Sequence, residues 1–310
     1  MDIKFKKKPI KIENHIHYYL EDTDYTNSFG LQWNKFRKTQ IDTPEKFSQS
    51  FERFFNETGL KKEDFKNKKI LEIGSGAGRF TNIILNHTEG VVYSIDSSDA
   101  VKANLENNKQ YIDTRLFLFK ASIYDLPFDI SQFDIVICFG VLQHTPNISK
   151  SVKCLCQQTA QNGLLFLDFY PYNGFWTLIS SKYILRPITK RMKFDTLYSF
   201  FNKYIKYFIR INFFLQKIHL GFLNRFIPIA DIAKTMPEDI DKKLLEELVL
   251  LDTIDMLTPY YDMPQKISKI TKLVKNNNFT ITFSGKIKPF LLCSAIKGPC
   301  PIVPAWLCFK

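Results

Sequence analysis

The clearest pattern in the chain begins at Lys69. From there short apolar runs at 70–73, 91–95, 116–119, 133–138 and 164–169 alternate with longer stretches of helical spacing. Runs of that length, apolar on consecutive positions, read as strands buried on both faces, and the alternation predicts a parallel sheet with helices on either side. Upstream, Thr43-Pro44 opens a helix in which Phe47, Phe51, Phe54 and Phe55 recur at helical spacing until Gly59 ends it. That apolar stripe is expected to pack on the sheet. After Asp168 the rhythm breaks for roughly sixty residues, too long for an ordinary crossover, which argues for an inserted lid or subdomain. A helical stretch at 265–275 and strand-like runs at 279–283 and 290–296 complete the sheet. The chain therefore divides into a helical or lid segment (1–67), an α/β core (68–170), a helical basic and aromatic insertion (171–256), the end of the sheet (257–297) and a tail (298–310).

The first strand runs into Glu72-Ile73-Gly74-Ser75-Gly76-Ala77-Gly78. Glycines at a strand-to-helix turn allow positive φ and let backbone approach a ligand closely, and the small Ser75 and Ala77 keep that approach open. Gly78 follows Gly76 by two residues, whereas a dinucleotide fingerprint spaces its last glycine by three. Asp96, with Ser97 beside it, ends the second strand eighteen residues after Gly78, where doubly wound folds place an acid on ribose hydroxyls. Alone, each feature is a tight turn or a helix cap; together they describe a nucleoside site.

These residues, with Val92–Asp96, Ala121–Phe128, Phe133–Thr145 and Gly163–Asp168, resemble the class I S-adenosylmethionine (SAM)-dependent methyltransferases over about a third of the chain. The resemblance implies a doubly wound, mostly parallel seven-stranded sheet with its last strand antiparallel. It also implies SAM as cofactor, with Glu72 and Gly74, Ser75, Gly76 and Gly78 near the methionine moiety, Asp96 on the ribose and Ser122-Ile123 at the adenine. Many relatives carry aspartate where this chain has Ser122, whose hydroxyl is a weaker acceptor for the adenine amino group.

Methyl transfer from a sulfonium is a direct displacement, so alignment matters more than any single side chain. Cys138-Phe139-Gly140-Val141-Leu142-Gln143-His144 follows the fourth strand and borders the sulfonium, with Phe139 beside the cofactor and His144 either the general base or a residue that caps the following helix or packs in the loop. Asp168 and Tyr170 after the fifth strand either orient a sugar-type hydroxyl or stabilise their loop. Trp33, in Asn27-Ser28-Phe29-Gly30-Leu31-Gln32-Trp33, and Tyr260, in Leu257-Thr258-Pro259-Tyr260-Tyr261-Asp262, lie in aromatic, turn-rich stretches of the kind that cover substrates. Both stretches resemble segments of bacterial methyltransferases of surface-polysaccharide and sugar tailoring. That implies a small-molecule or glycan acceptor, specifically the hydroxyl of a sugar that is free or lipid-linked.

Composition adds a partner question. Among 310 residues there are 29 Phe and 14 Tyr, and the formal net charge is +12. Between residues 169 and 230 ten Lys or Arg residues face the single acid Asp195. There, Leu197, Phe201, Tyr204, Phe208, Ile211, Leu215 and Ile218 recur every three or four positions, with Lys203, Lys206, Arg210 and Lys217 opposite. Such a helix over 197–218 covers an active site, joins two copies, or lies in the headgroups of an anionic membrane. A basic aromatic face also suits nucleic acid. Against that reading, the Asn/Asp-Pro-Pro-aromatic turn of base amino-methylases is replaced here by Phe139-Gly140-Val141-Leu142. A SAM-fold scaffold without turnover is the other rival, and the intact glycine turn speaks against it. The six cysteines show neither CxxC pairs nor zinc spacing, so no metal is expected. The lysine-rich start has no apolar stretch behind it, and no run of about 18 apolar residues occurs, so the expected location is the cytoplasm, at the inner membrane face where the basic helix engages lipid.

Overall fold

The computed structural model describes residues 3–21, 24–42, 49–231, 240–287 and 290–298. The expected helix opening at Thr43-Pro44, with Phe47, and tail residues 299–310 lie outside them. The chain forms two units, Met1–Tyr172 with Tyr261–Lys310, and Asn173–Tyr260.

The first unit is built on a mixed sheet. Its strands are β1 (Lys11–Glu13), β2 (Ile16–Tyr18), β3 (Lys69–Ile73), β4 (Val91–Asp96), β5 (Leu116–Lys120), β6 (Phe133–Cys138), β7 (Thr159–Phe169), β8 (Phe279–Ile287) and β9 (Phe290–Lys297). They are ordered β1-β2-β5-β4-β3-β6-β7-β9-β8. Strands β2, β5, β4, β3, β6 and β7 run parallel to one another, β1 pairs antiparallel with β2, and β9 inserts antiparallel between β7 and β8. Among the described residues the sheet thus has nine strands rather than the expected seven. The two additional strands form an N-terminal hairpin that extends the β5 edge through Ile16, His17 and Tyr18. Three-residue strands, the first fully exposed, carry no apolar run to announce them.

Helices α1 (Asn27–Lys35), α2 (Gln49–Thr58), α3 (Arg79–His87), α4 (Ala100–Asn108), α5 (Ile148–Gln158) and, after the second unit, α10 (Ile267–Lys275) belong to this unit. Successive strand residues point to opposite faces. Leu71, Val136 and Leu165 enter one core with Val152 and Leu155 of α5 and Ile270 of α10. Ile70, Ile135 and Phe166 enter the other with Phe54 of α2 and Ile83 and Ile84 of α3. Each fully buried Phe or Leu contributes about 1.5–3 kcal/mol, so both layers are held firmly and the loops between them are set by a rigid frame.

The second unit contains α6 (Phe175–Leu178), α7 (Ser181–Thr189), α8 (Phe194–Lys217) and α9 (Lys242–Leu257). Helix α9 opens on Asp241, whose carboxylate accepts from Leu244 N at 2.9 Å. At its other end orphan carbonyls are met by α7: Arg186 donates to Met256 O at 3.1 Å and Thr189 Oγ1 to Leu257 O at 2.9 Å. The stripe expected on α8 is divided between buried and exposed positions. Phe194, Leu197, Phe201, Ile205, Ile209 and Asn212 are its buried positions, while Tyr204 and Ile211 are exposed. Spacings of three and four fit more than one stripe on this helix, and only packing distinguishes them.

Candidate functional site

Five turns follow the carboxyl ends of β3, β4, β5, β6 and β7, and because these strands are parallel neighbours the turns share one edge of the sheet. This is where open α/β sheets hold ligands. The first turn carries the glycines. Gly74 and Gly78 have φ of 75° and 79°, and a β-carbon would overlap Val141 at Gly74 and Asn104 at Gly78. Both positions require glycine.

The turn is gripped from several directions. Gly74 N and Ser75 N donate to Ile95 O at 2.7 and 3.1 Å, fastening it to β4. Asp96, at the end of that strand, accepts from Gly76 N at 2.9 Å through one oxygen, and from Ser98 N at 2.8 Å and Ser98 Oγ at 2.7 Å through the other. A carboxylate has about four acceptor positions, so three protein donors leave room for one more. Behind the turn lies a buried polar network. Glu72 accepts from Thr81 Oγ1 and, at 3.0 Å, from Ser94 Oγ; Asn104 donates to both hydroxyls, at 3.0 and 2.9 Å. Burial pushes the Glu72 carboxyl up to about 7 despite these donors. Burial likewise raises Asp96.

Helix α1 sits on the same turns. Asn34 donates to Asp99 O at 2.9 Å, Thr26 Oγ1 lies 3.4 Å from Ser97 O, and a β-carbon at Gly30 would stand 3.2 Å from Asp99 Cβ. The Trp33 indole lies against Gly76, 3.2 Å from where its β-carbon would be. Trp33, expected at the substrate, is therefore placed on the glycine turn, and Ser97 is a point of attachment for this helix. The glycine within the aromatic stretch 27–33 was the available sign of a close helix approach.

At the next turn, Tyr124 N donates to Ser122 Oγ at 3.2 Å and Ile123 is buried. Phe139 turns into the core, its ring 5.4 Å from Phe80 and 6.4 Å from Phe54. Asp168 is wholly buried and pairs with Arg53 of α2 while accepting from Gly140 N. Arg53 also bonds Glu57 at 2.7 Å, and its guanidinium lies 4.1 Å from the Phe290 ring centroid. Burial, then the neighbouring charge of Asp168, pushes Glu57 up to about 7. The residue expected to orient a hydroxyl thus has its carboxylate engaged by a cation and an amide.

His144, Tyr170, Phe29 and Tyr261 do come together. His144 Nδ1 lies 2.9 Å from Tyr261 O; a carbonyl only accepts, so Nδ1 is assigned the proton and Nε2 is the basic nitrogen. The imidazole packs 5.3 Å from the Phe29 ring and 5.9 Å from Tyr170, which stacks on Phe290 at 5.6 Å. Immediately before His144, the enclosed Gln143 amide has no hydrogen-bond partner among the described residues at either atom. Tyr260 belongs to the second unit, where Lys190 Nζ lies 4.7 Å from its ring centroid. Sequence reading missed Arg53, Glu57, Gln143 and Lys120. The last is a buried cation 2.7 Å from Asp99, marked only by its place at the polar end of an apolar strand. Among the described residues no cluster of His, Cys, Asp or Glu is suited to a metal.

The family described as "Methyltransferase domain" matches residues 71–167, which include the glycine turn, Asp96, Ser122 and His144. A ubiquinone biosynthesis O-methyltransferase of Coxiella burnetii is 23% identical over 128 residues, covering 40% of this chain and 54% of that protein. A release factor glutamine methyltransferase of Flavobacterium psychrophilum is 27% identical over 193 residues, covering 53% and 66%. The chain spans about half the length of the first of these relatives. Magnesium protoporphyrin IX methyltransferase from Synechocystis PCC 6803, crystallised with bound SAH, aligns at 16% identity with a TM-score of 0.48, covering 89% of this chain and 97% of that one. The residues present suit a sulfonium nucleoside: a strand-to-helix turn with positive φ at Gly74, Gly76 and Gly78, a buried Ser75 Oγ with no partner among the described residues, and an acid with acceptor capacity to spare. Over residues 71–167 the chain is thus similar to methyltransferase domains, and S-adenosylmethionine is the cofactor these residues suit.

Proposed function

We propose that the chain methylates a hydroxyl of a small molecule, with a ring-shaped acceptor such as a sugar as the preferred class. The single observation that carries this reading is the setting of His144. Its Nδ1 is held by the Tyr261 carbonyl, and its ring is enclosed by Phe29 and Tyr170 at the edge where the glycine turn lies. The cofactor supplies an electrophilic methyl group on sulfur. Gly74 to Gly78, Ser75 and Asp96 hold its methionine and ribose, and Ser122 with Ile123 borders its adenine. His144 Nε2 takes the proton from the acceptor hydroxyl, a role worth about 10²–10⁴ in rate. Tyr170 and Phe29 present aromatic faces on which the apolar side of a ring can lie. The relatives named as O-methyltransferases favour oxygen as the acceptor atom.

Titration calorimetry with S-adenosylhomocysteine tests the cofactor site. Wild type is expected to bind it, NADH is not, and Asp96→Ala weakens binding by about tenfold or more, as expected on losing a hydrogen bond to a charged group. His144→Ala should then retain cofactor affinity while turnover of a hydroxylated sugar falls by about 10²-fold or more. Unchanged turnover in that variant would remove the base from the scheme. No binding by wild type would remove the whole reading.

A further inference from the structure

Helix α8 carries a second apolar stripe that nothing in its own unit covers. At about 100° per residue, Phe200, Tyr204, Tyr207, Ile211, Phe214 and Ile218 fall within about 40° of one line along the helix. All six are exposed, Phe214 at 59%. The line lies roughly 120° from the stripe that packs inward, so it is additional to the core and not part of it. Along one flank run Lys203, Lys206, Arg210 and Lys217, and the only acid on the helix, Asp195, sits in its first turn away from the stripe. The cations lean over the aromatic rings: Lys203 Nζ is 5.2 Å from the Tyr204 centroid and Lys206 Nζ is 5.2 Å from that of Tyr207. Past the helix the same pairing recurs, with Arg225 5.6 Å from Trp176 and 6.0 Å from Phe226, both exposed.

We propose that this face of α8 docks on the surface of an anionic phospholipid bilayer. An exposed stripe about 27 Å long is more apolar area than a soluble surface ordinarily leaves in water. Phenylalanine and isoleucine enter the acyl boundary, tyrosine and tryptophan sit at headgroup level, and the flanking cations meet lipid phosphates. The helix lies on the surface and does not cross it: among the described residues no helix is long and apolar enough to span a membrane. The spacing of the stripe also matches a coiled-coil seam, so a second copy of the chain is the competing occupant. Bilayer docking is favoured because the stripe is mainly aromatic, its flank is uniformly basic, and the pairing of cations with exposed rings extends beyond the one helix. This inference is independent of the acceptor assigned above.

Co-sedimentation of the full chain with vesicles of phosphatidylcholine containing 30% phosphatidylglycerol, against pure phosphatidylcholine, reads it out. The expected result is binding to the anionic vesicles alone. Both Phe200→Ser/Tyr207→Ser/Phe214→Ser and Lys203→Glu/Arg210→Glu/Lys217→Glu should lower it by about tenfold or more. The altered side chains are on the surface, so circular dichroism and S-adenosylhomocysteine affinity should stay as in wild type. Absence of binding to anionic vesicles, or binding that both variants retain, overturns the proposal. Absence of vesicle binding together with a dimer in sedimentation equilibrium that the aromatic variant dissolves assigns the stripe to a second copy.

Discussion

A buried amide with no partner is costly, about 1–3 kcal/mol, and proteins rarely keep one without use for it. Gln143 is such a residue among the described part of the chain, enclosed at both side-chain atoms while its backbone oxygen accepts from Met263 N at 2.8 Å. It immediately precedes His144 in the turn after β6. Replacing it with methionine keeps the volume and removes the polar atoms. Gln143→Met should therefore raise stability by about 1 kcal/mol in chemical denaturation while slowing turnover, with S-adenosylhomocysteine affinity unchanged. Lower stability in the variant would show that the amide is satisfied within the fold and has no separate role. At this scale the sequence disclosed the types of residue but not their commitments. Asp96 stands where the glycine spacing placed it, yet Asp168, next to Phe169 and Tyr170 at a strand end, faces Arg53 from 115 positions away. No local pattern records such a pairing.

Helix α2 illustrates which part of an element is legible. Phe51, Phe54 and Phe55 gave its apolar face, and Gly59, at φ 64° with its N–H bonded to Phe55 O at 2.8 Å, closes it as the glycine suggested. Arg53 and Glu57, one turn apart on the same helix, form a pair that Arg53 extends to the buried Asp168 at the end of β7. A buried ion pair that loses one partner leaves the other charge stranded, at about 3–5 kcal/mol. Asp168→Asn should cost about 3 kcal/mol in denaturant unfolding, and Arg53→Met should cost far less in that background than in wild type. Additive losses across the cycle would show that the two side chains do not act as a pair. Helix α8 shows the opposite limit, since its spacing was read as helical while the single stripe read from it mixes buried Leu197 and Phe201 with exposed Tyr204, Ile211 and Ile218. Period gives the element, and the choice among faces belongs to whatever packs against it.

For the molecule as a whole, the parallel core was legible because each of its strands carries a predominantly apolar run, whereas the hairpin β1–β2 was not, being short, charged and exposed on its outer strand. The core that resulted encloses several carboxyls, and burial raises all of Glu57, Glu72, Asp96 and Asp168 above their ordinary values. A carboxyl whose folded pKa is raised binds its proton more tightly in the native state than in the unfolded one. Its contribution is complete below the unfolded pKa and is lost as pH rises through the folded value. For Glu72 that window runs from 4.5 to about 7, and the shift corresponds to about 3 kcal/mol. Asp99 and Glu13 are shifted downward and act in the reverse sense, so the net profile of the wild type mixes both. Glu72→Gln isolates one contribution, because the amide keeps an oxygen for Thr81 and Ser94 but has no proton to lose. Thermal unfolding at pH 5 and pH 8 should show the variant losing less stability than wild type over that interval, with the difference between them growing toward pH 8. Parallel profiles for the two proteins would mean that Glu72 is ionised at its ordinary pKa and that the hydroxyls around it outweigh its burial.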